Sequence, residues 1–117
     1  MKCGAQESNE PSSQRMRYQL VLQFEANTMD DFDQLVILED KLIDELGNVA
    51  TVDGHDFGSG EFNIFVLTDE PPTAFSAAHR VVINHGVQNV MRAAYRELVA
   101  DDYVILWPPS LTEFTVA

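Results

Sequence analysis

The sequence is poor in cysteine and in cationic residues. Its only cysteine is Cys3, so no disulfide bond can form within the chain, and this fits a reducing compartment. Seven Lys and Arg residues stand against nineteen Asp and Glu residues, for a net charge of -12. Because a field of that sign repels phosphates, the composition argues against nucleic-acid binding. It fits either a simple need for solubility or an acidic surface for a basic protein partner.

Long apolar runs are also absent. No stretch approaches the ~20 apolar residues that cross a bilayer, and residues 1–14 lack the apolar centre of a signal peptide. We therefore expect a soluble, cytoplasmic protein with no membrane partner. The 117 residues suit one domain. We predict a disordered tail over residues 1–15, a folded domain over 16–109 and a second tail over 110–117.

The first half of the folded domain has clear periodic patterns. Apolar residues alternate from Tyr18 to Glu25, which predicts a strand with one buried face. Thr28 is a predicted helix N-cap, and apolar residues then recur at three-and-four spacing from Phe32 to Leu46. This pattern predicts an amphipathic helix that ends at Gly47.

Two further strands are predicted over residues 48–52 and 61–68. The segment between them is too short for a crossover helix, so they should form an antiparallel hairpin. The turn of this hairpin lies either at Asp53-Gly54 or at Gly58-Ser59-Gly60. We favour the second position, which keeps His55 and Asp56 within the strand.

The second half of the domain begins with a helix. Pro71 and Pro72 suit its start, and Gly86 marks its end. Residues 87–98 fit two patterns, since their apolar period favours a helix while the alternation of residues 91, 93 and 95 fits a strand. A last strand is predicted over 103–107, stopped by prolines. The order of elements predicts an α+β, ferredoxin-like βαββαβ two-layer sandwich, with two helices on one face of an antiparallel sheet and room for one extra C-terminal strand.

Three segments carry a resemblance to a known group of proteins. The run DGHDFGSGEFNIF over residues 53–65 resembles a hairpin motif of small bacterial ferredoxin-like (α/β plait) proteins, and residues 94–97 and 103–108 are similar as well. The likeness covers residues 17–109. It implies the same fold, and it favours a strand over residues 90–98 that pairs with 103–107. It implies no particular reaction.

The first candidate site is the glycine-rich hairpin, with Asp53, His55, Asp56 and Glu61. Alternate residues of a strand share a face, so Asp53 and His55 should lie side by side, with Glu61 approaching across the turn. A histidine beside carboxylates can act as a general base or bind a divalent ion. The plainer interpretation is a hairpin whose acids cap backbone N–H groups. No second histidine or cysteine lies nearby, so we expect no metal and no cofactor.

The second candidate site is the sheet face away from the helices, which should be uncovered. Its predicted residues are more amide-rich and apolar than is usual for an exposed face, which favours an interface. These residues are Gln19, Val21, Gln23, Asn63, Phe65 and Leu67. The expected occupant is a second copy of the chain in a homodimer, a partner protein, or a small apolar ligand held between two sheets.

These patterns leave three hypotheses for function. The first is a small acidic binding module without catalytic activity, which would dock a protein in the way that bacterial immunity proteins neutralise a basic toxin. The second is a dimeric α/β barrel that binds a small ligand or acts as a cofactor-free enzyme, with a pocket near His55 or Trp107. The third is an accessory domain that only self-associates. The sequence has no complete catalytic constellation, which favours the first hypothesis.

Overall fold

The structure is a computed structural model that describes residues 16–47 and 49–116. The tail predicted over residues 1–15 lies outside the described residues, as do Cys3, Asn48 and Ala117. The described residues form five strands and two helices. In chain order these are β1 (Tyr18–Glu25), α1 (Met29–Leu46), β2 (Thr51–Gly58), β3 (Glu61–Thr68), α2 (Pro71–Asn84), β4 (Met91–Glu97) and β5 (Val104–Trp107).

The five strands form one antiparallel sheet in the order β2-β3-β1-β4-β5. The first four strands have the order of a ferredoxin-like βαββαβ plait, and β5 is an extra strand added beside β4. This confirms the predicted fold class. Residues 91–97 are a strand, so the alternation of Met91, Ala93 and Tyr95 was the correct pattern and the helical period was wrong.

Helix α1 begins where the sequence predicts. The Thr28 side-chain oxygen accepts a hydrogen bond from the backbone N–H of Asp31 at 3.0 Å, and the Asp31 carboxylate accepts one from the N–H of Asn27 at 2.9 Å. The first bond satisfies an N–H donor that a helix start leaves free, and the second holds the residue just before the N-cap. The helix ends at Gly47, whose φ of 53° is a conformation that favours glycine.

Both helices pack on one face of the sheet, which we call the helix face. Leu20 and Leu22 of β1 are fully buried there, opposite Val66 and Ile64 of β3. Helix α1 contributes Leu35, Leu38, Leu42 and Leu46, and α2 contributes Ala74, Ala78, Val81 and Val82. The core therefore lies between one sheet face and two helices. No helix in the described part of the chain is long and apolar enough to cross a membrane.

The other side of the sheet, which we call the second face, is also covered. Residues 108–116, here called the C-terminal segment, follow β5 without regular secondary structure. The Gln23 side chain donates a hydrogen bond to the Thr115 carbonyl at 2.9 Å, and the ring of Phe114 packs edge-on against Tyr103 at 5.0 Å. On the same face Val21 and its neighbour Ala94 in β4 have no exposed surface.

Candidate functional site

The β2–β3 hairpin turns at Ser59 and Gly60. Both residues have positive φ, at 54° and 75°, as a tight two-residue turn between twisted strands requires. The strands on either side of this turn, β2 and β3, have eight residues each. Of the two predicted turn positions the second is confirmed, and it keeps His55 and Asp56 within β2.

A β-bulge interrupts β2 at Asp53. Val52 pairs with Val66 and Gly54 with the adjacent Phe65, so Asp53 is an extra residue with no partner in β3. The simple alternation that was expected to place Asp53 beside His55 is interrupted at this bulge. Gly54, with φ of 144°, has a backbone conformation that residues with a side chain rarely adopt.

His55 lies on the helix face, opposite Ile64, where it is held by α1. Its Nδ1 is 2.8 Å from Oε1 of Glu39, and its ring stacks on Phe62 with 4.7 Å between ring centroids. The edge of Phe32 packs against His55, Phe57 and Phe62. The imidazole is thus fixed by a carboxylate and by aromatic rings, and its side chain keeps 32% of its surface exposed.

The four predicted hairpin residues do not form one cluster. Asp56 pairs with Asn63 and lies on the second face, as does Glu61, which is 4.0 Å from the Arg92 guanidinium. His55 lies on the opposite side of the sheet, and Asp53 sits in the bulge. Within the described residues no group of three or more His, Cys, Asp and Glu side chains could hold a metal ion.

Glu39 is the site residue that the sequence analysis missed. It is 9% exposed, although it is charged, because it stands between Leu35 and Leu42 in the buried stripe of α1. A carboxylate at such a position needs a partner, since burying an unpaired charge is costly. The position of a glutamate inside the apolar stripe could therefore have indicated a buried, paired carboxylate. The stripe alone could not identify His55 as its partner.

The second face carries a row of polar side chains, one from each of four neighbouring strands. Arg92 donates to Gln23 Oε1 at 3.2 Å, and Gln23 donates to Asn63 Oδ1 at 3.0 Å, with Asp56 next in register. We call Arg92, Gln23, Asn63 and Asp56 the polar row. Arg92 also lies 3.4 Å from Glu25. The row borders a recess of about 180 Å³ beside residues 113–115.

The second face therefore differs from the uncovered surface that the sequence predicted. Gln23 and Asn63 are 2% exposed and Val21 is fully buried within the chain itself, so none of the three is available to a partner unless the C-terminal segment moves. Gln19, Phe65 and Leu67 are half-buried. The homodimer across this face stays a prediction.

A different surface, formed by α1 and β2, combines exposed carboxylates with exposed apolar side chains. Helix α1 has seven acidic residues and β2 has two, against Lys41 as the only Lys or Arg of both elements. Among these acids, Asp30, Asp33, Asp40, Asp44, Glu45, Asp53 and Asp56 are exposed. Met29, Ile37, Ile43 and Phe57 lie among them with 73%, 58%, 53% and 47% of their surface exposed. We call this surface the α1–β2 surface.

Comparison of the chain with protein-family models, with curated proteins and with solved structures finds no match in any of the three sets. The resemblance of residues 53–65 to a bacterial hairpin motif therefore stays a prediction.

Proposed function

We propose that the protein is a cytoplasmic binding module without catalytic activity, and that it docks a basic protein through the α1–β2 surface. The observation that carries this proposal is the mixture of exposed apolar and acidic side chains on that surface. Ile37, for example, lies on the solvent-facing side of α1, with Asp33 and Asp40 about one turn away on either side of it and with Lys41 as the one cation beside it. Apolar contacts framed mainly by negative charges suit a partner surface that is apolar and basic.

The charge of the whole molecule supports a basic partner. A net charge of -12 attracts cationic surfaces at long range and repels anionic ones. Pairing with cations would also relieve the mutual repulsion among the α1 carboxylates. A protein partner is favoured over a small ligand, because the apolar side chains are spread along a helix rather than gathered in an enclosed cavity.

The alternative, a dimeric α/β barrel with a ligand between two sheets, has less support. Such a barrel would be formed by the second face, and in this chain the C-terminal segment lies across that face and bonds to Gln23. His55 lies on the helix face, outside any space between two sheets joined in that way. We therefore propose only the binding module.

In the first step of the test, the wild-type protein is used at low salt to capture its binding partner from a cell extract. That partner is purified, and its dissociation constant is measured by calorimetry at low and high salt. We expect a basic protein whose binding weakens with salt. The double variant Asp40→Lys/Asp44→Lys should weaken binding by about tenfold or more at low salt, because it inverts the charge beside Ile37 and Ile43.

A matched control reverses two exposed acids at the other end of the sheet. Asp101→Lys/Asp102→Lys makes the same change in net charge in the turn between β4 and β5, and it should weaken binding much less. Equal losses in the two variants would show that only the net charge matters and that the α1–β2 surface is not the docking site. A partner that is acidic, or that binds independently of salt, would overturn the proposal.

A further inference from the structure

Strand β2 ends the sheet, and its outer edge has no partner strand in the described part of the chain. An edge strand presents unpaired N–H and C=O groups at alternate residues, which another extended chain can join. From Gly54 to Gly58, beyond the bulge at Asp53, five residues are in regular register with β3. Residues 51–58 contain no proline or lysine, two residues that commonly protect such an edge.

The opposite edge of the sheet is less suitable for pairing. Strand β5 has only four residues, and Pro108 and Pro109 follow it directly. Proline has no N–H to donate, so it ends a ladder of backbone hydrogen bonds. The two edge strands therefore differ in length, and only β5 is followed directly by prolines. Of the two, β2 is the strand that can accept another strand.

On the helix face, the outer edge of β2 is bordered by apolar side chains. Phe57 points towards α1, where its ring lies 5.2 Å from that of Phe32. Val36 and Ile43 lie four and eleven residues after Phe32, so they continue along the same side of the helix. A strand added beside β2 would place every second side chain over this apolar border.

On the second face, the same edge is acidic. Asp56 points away from α1 and is exposed. Two copies of β2 paired edge to edge near Asp56 would bring two carboxylates of the same face together, which disfavours a second copy of this chain as the occupant. A strand with cationic side chains on that face would instead be attracted.

We propose that an extended, cationic segment of the partner adds to the sheet beside Gly54–Gly58 as a sixth strand. Its side chains alternate, with apolar residues over Phe57 and Ile43 and with Lys or Arg residues beside Asp56. This inference rests on the proposed function, and it deepens that function by naming the conformation and the residue pattern of the bound segment. Backbone hydrogen bonds to β2 supply affinity, and the alternation supplies specificity.

The test uses a short capped peptide that alternates lysine with valine, and a control peptide of the same composition with its lysines in one block. Binding to the full chain is measured by calorimetry and by the NMR shifts of backbone amides. The alternating peptide should bind about tenfold more tightly or better, and it should shift the amides of residues 51–58. Equal binding of the two peptides would overturn strand addition.

Two N-methylated forms of the alternating peptide test the backbone bonds directly. In an extended chain the N–H groups of alternate residues point to opposite edges. One form is methylated at the lysine amides and the other at the valine amides, and neither change alters charge or side chains. We expect one form to lose binding by about tenfold or more and the other to retain it, because only one set of N–H groups meets β2.

Failure of this inference is distinguishable from failure of the proposed function. If both methylated forms bind equally and remain sensitive to salt, charge alone holds the peptide, and strand addition is wrong while the binding module stands. The variant Asp56→Lys should weaken the alternating peptide, with Asp101→Lys as the charge-matched control. A dimer of the free protein that protects β2 amides from hydrogen exchange would show that a second copy occupies the edge, and would also overturn the inference.

Discussion

The helix face and the second face of the sheet are built on the same strands, yet they are covered in different ways. On the helix face, Leu22 and Ile64 lie beneath two helices that supply long apolar stripes. On the second face, the neighbouring residues Gln23 and Asn63 lie beneath an irregular segment and hydrogen-bond to each other. One face is held by apolar burial, and the other also depends on polar groups that satisfy one another.

The difference has energetic consequences. Apolar burial is non-directional and is roughly proportional to the area removed from water. A buried hydrogen bond adds little net stability, but removing one partner leaves the others unsatisfied at a cost of about 1–3 kcal/mol. The two faces should therefore respond differently to substitutions of similar size.

The largest effect should come from the helix face. Leu22→Ala removes a fully buried side chain between Ile64 and Ala93, and it should lower the free energy of unfolding by about 2–5 kcal/mol. Urea unfolding measures this change. Ile83→Ala on the exposed side of α2 is the control and should change stability by about 0.5 kcal/mol or less. Similar losses in both variants would show that the core does not lie on this face.

The next effect tests the polar row. Gln23→Leu roughly keeps the volume of the side chain but removes its bonds to Asn63, Arg92 and the Thr115 carbonyl. We expect a loss of about 1–3 kcal/mol, since the buried Asn63 oxygen then lacks its donor, whereas Arg92 keeps Glu25 as a partner. Gln19→Leu, on the same face of the same strand, should cost less. If Gln23→Leu left the free energy of unfolding unchanged, water or other groups would be replacing the bonds of the amide.

The helix face could be predicted almost completely from the sequence. Local patterns, namely the alternation of Leu20, Leu22 and Phe24 and the stripe of α1, name most of the buried residues, although they leave out Glu39 and include the exposed Ile43. The covering of the second face could not be predicted in this way. Residues 110–116 have no period, and their contact with Gln23 joins positions 92 residues apart. Residues 91–97 stayed open between helix and strand for a different reason, because their apolar residues fit both periods.

A smaller effect should follow from weakening the cover of the second face. Phe114→Ala removes a half-buried ring that packs against Tyr103, and it should cost about 1 kcal/mol. Thr112→Ala, at an exposed position of the same segment, is the control for urea unfolding. A loss as large as that of Leu22→Ala would show that the C-terminal segment is part of the main core and would remove the contrast between the faces.

The candidate site was predictable only in part. The turn at Ser59 and Gly60 follows from local glycine chemistry, and the sequence placed it correctly. The bulge at Asp53 and the pairing of His55 with Glu39 depend on how α1 lies over β2, which no local pattern encodes. The expected cluster of hairpin acids failed for this reason, because β2 sends its side chains to two faces that have different neighbours.

The smallest effect concerns the start of α1 and the dependence of its stability on pH. The backbone N–H of Asn27 donates to the Asp31 carboxylate and holds the pKa of Asp31 below its ordinary value of 3.8. A lowered pKa in the folded state means that the ionised group stabilises the fold fully above the ordinary pKa. This contribution is lost as the pH falls through the lowered value. Asp31→Asn should therefore destabilise the protein at neutral pH, and its deficit should shrink in acid.

Urea unfolding of wild type and of Asp31→Asn at several pH values measures that deficit, and a carbon-detected NMR titration of the Asp31 carboxyl measures its pKa directly. Asp33→Asn is the matched control, since Asp33 is an exposed acid of the same helix turn. A deficit that stays constant with pH would mean that Asp31 acts through its shape rather than its charge. The amide oxygen introduced by Asp31→Asn can still accept from the N–H of Asn27, so a deficit that shrinks in acid isolates the contribution of the negative charge.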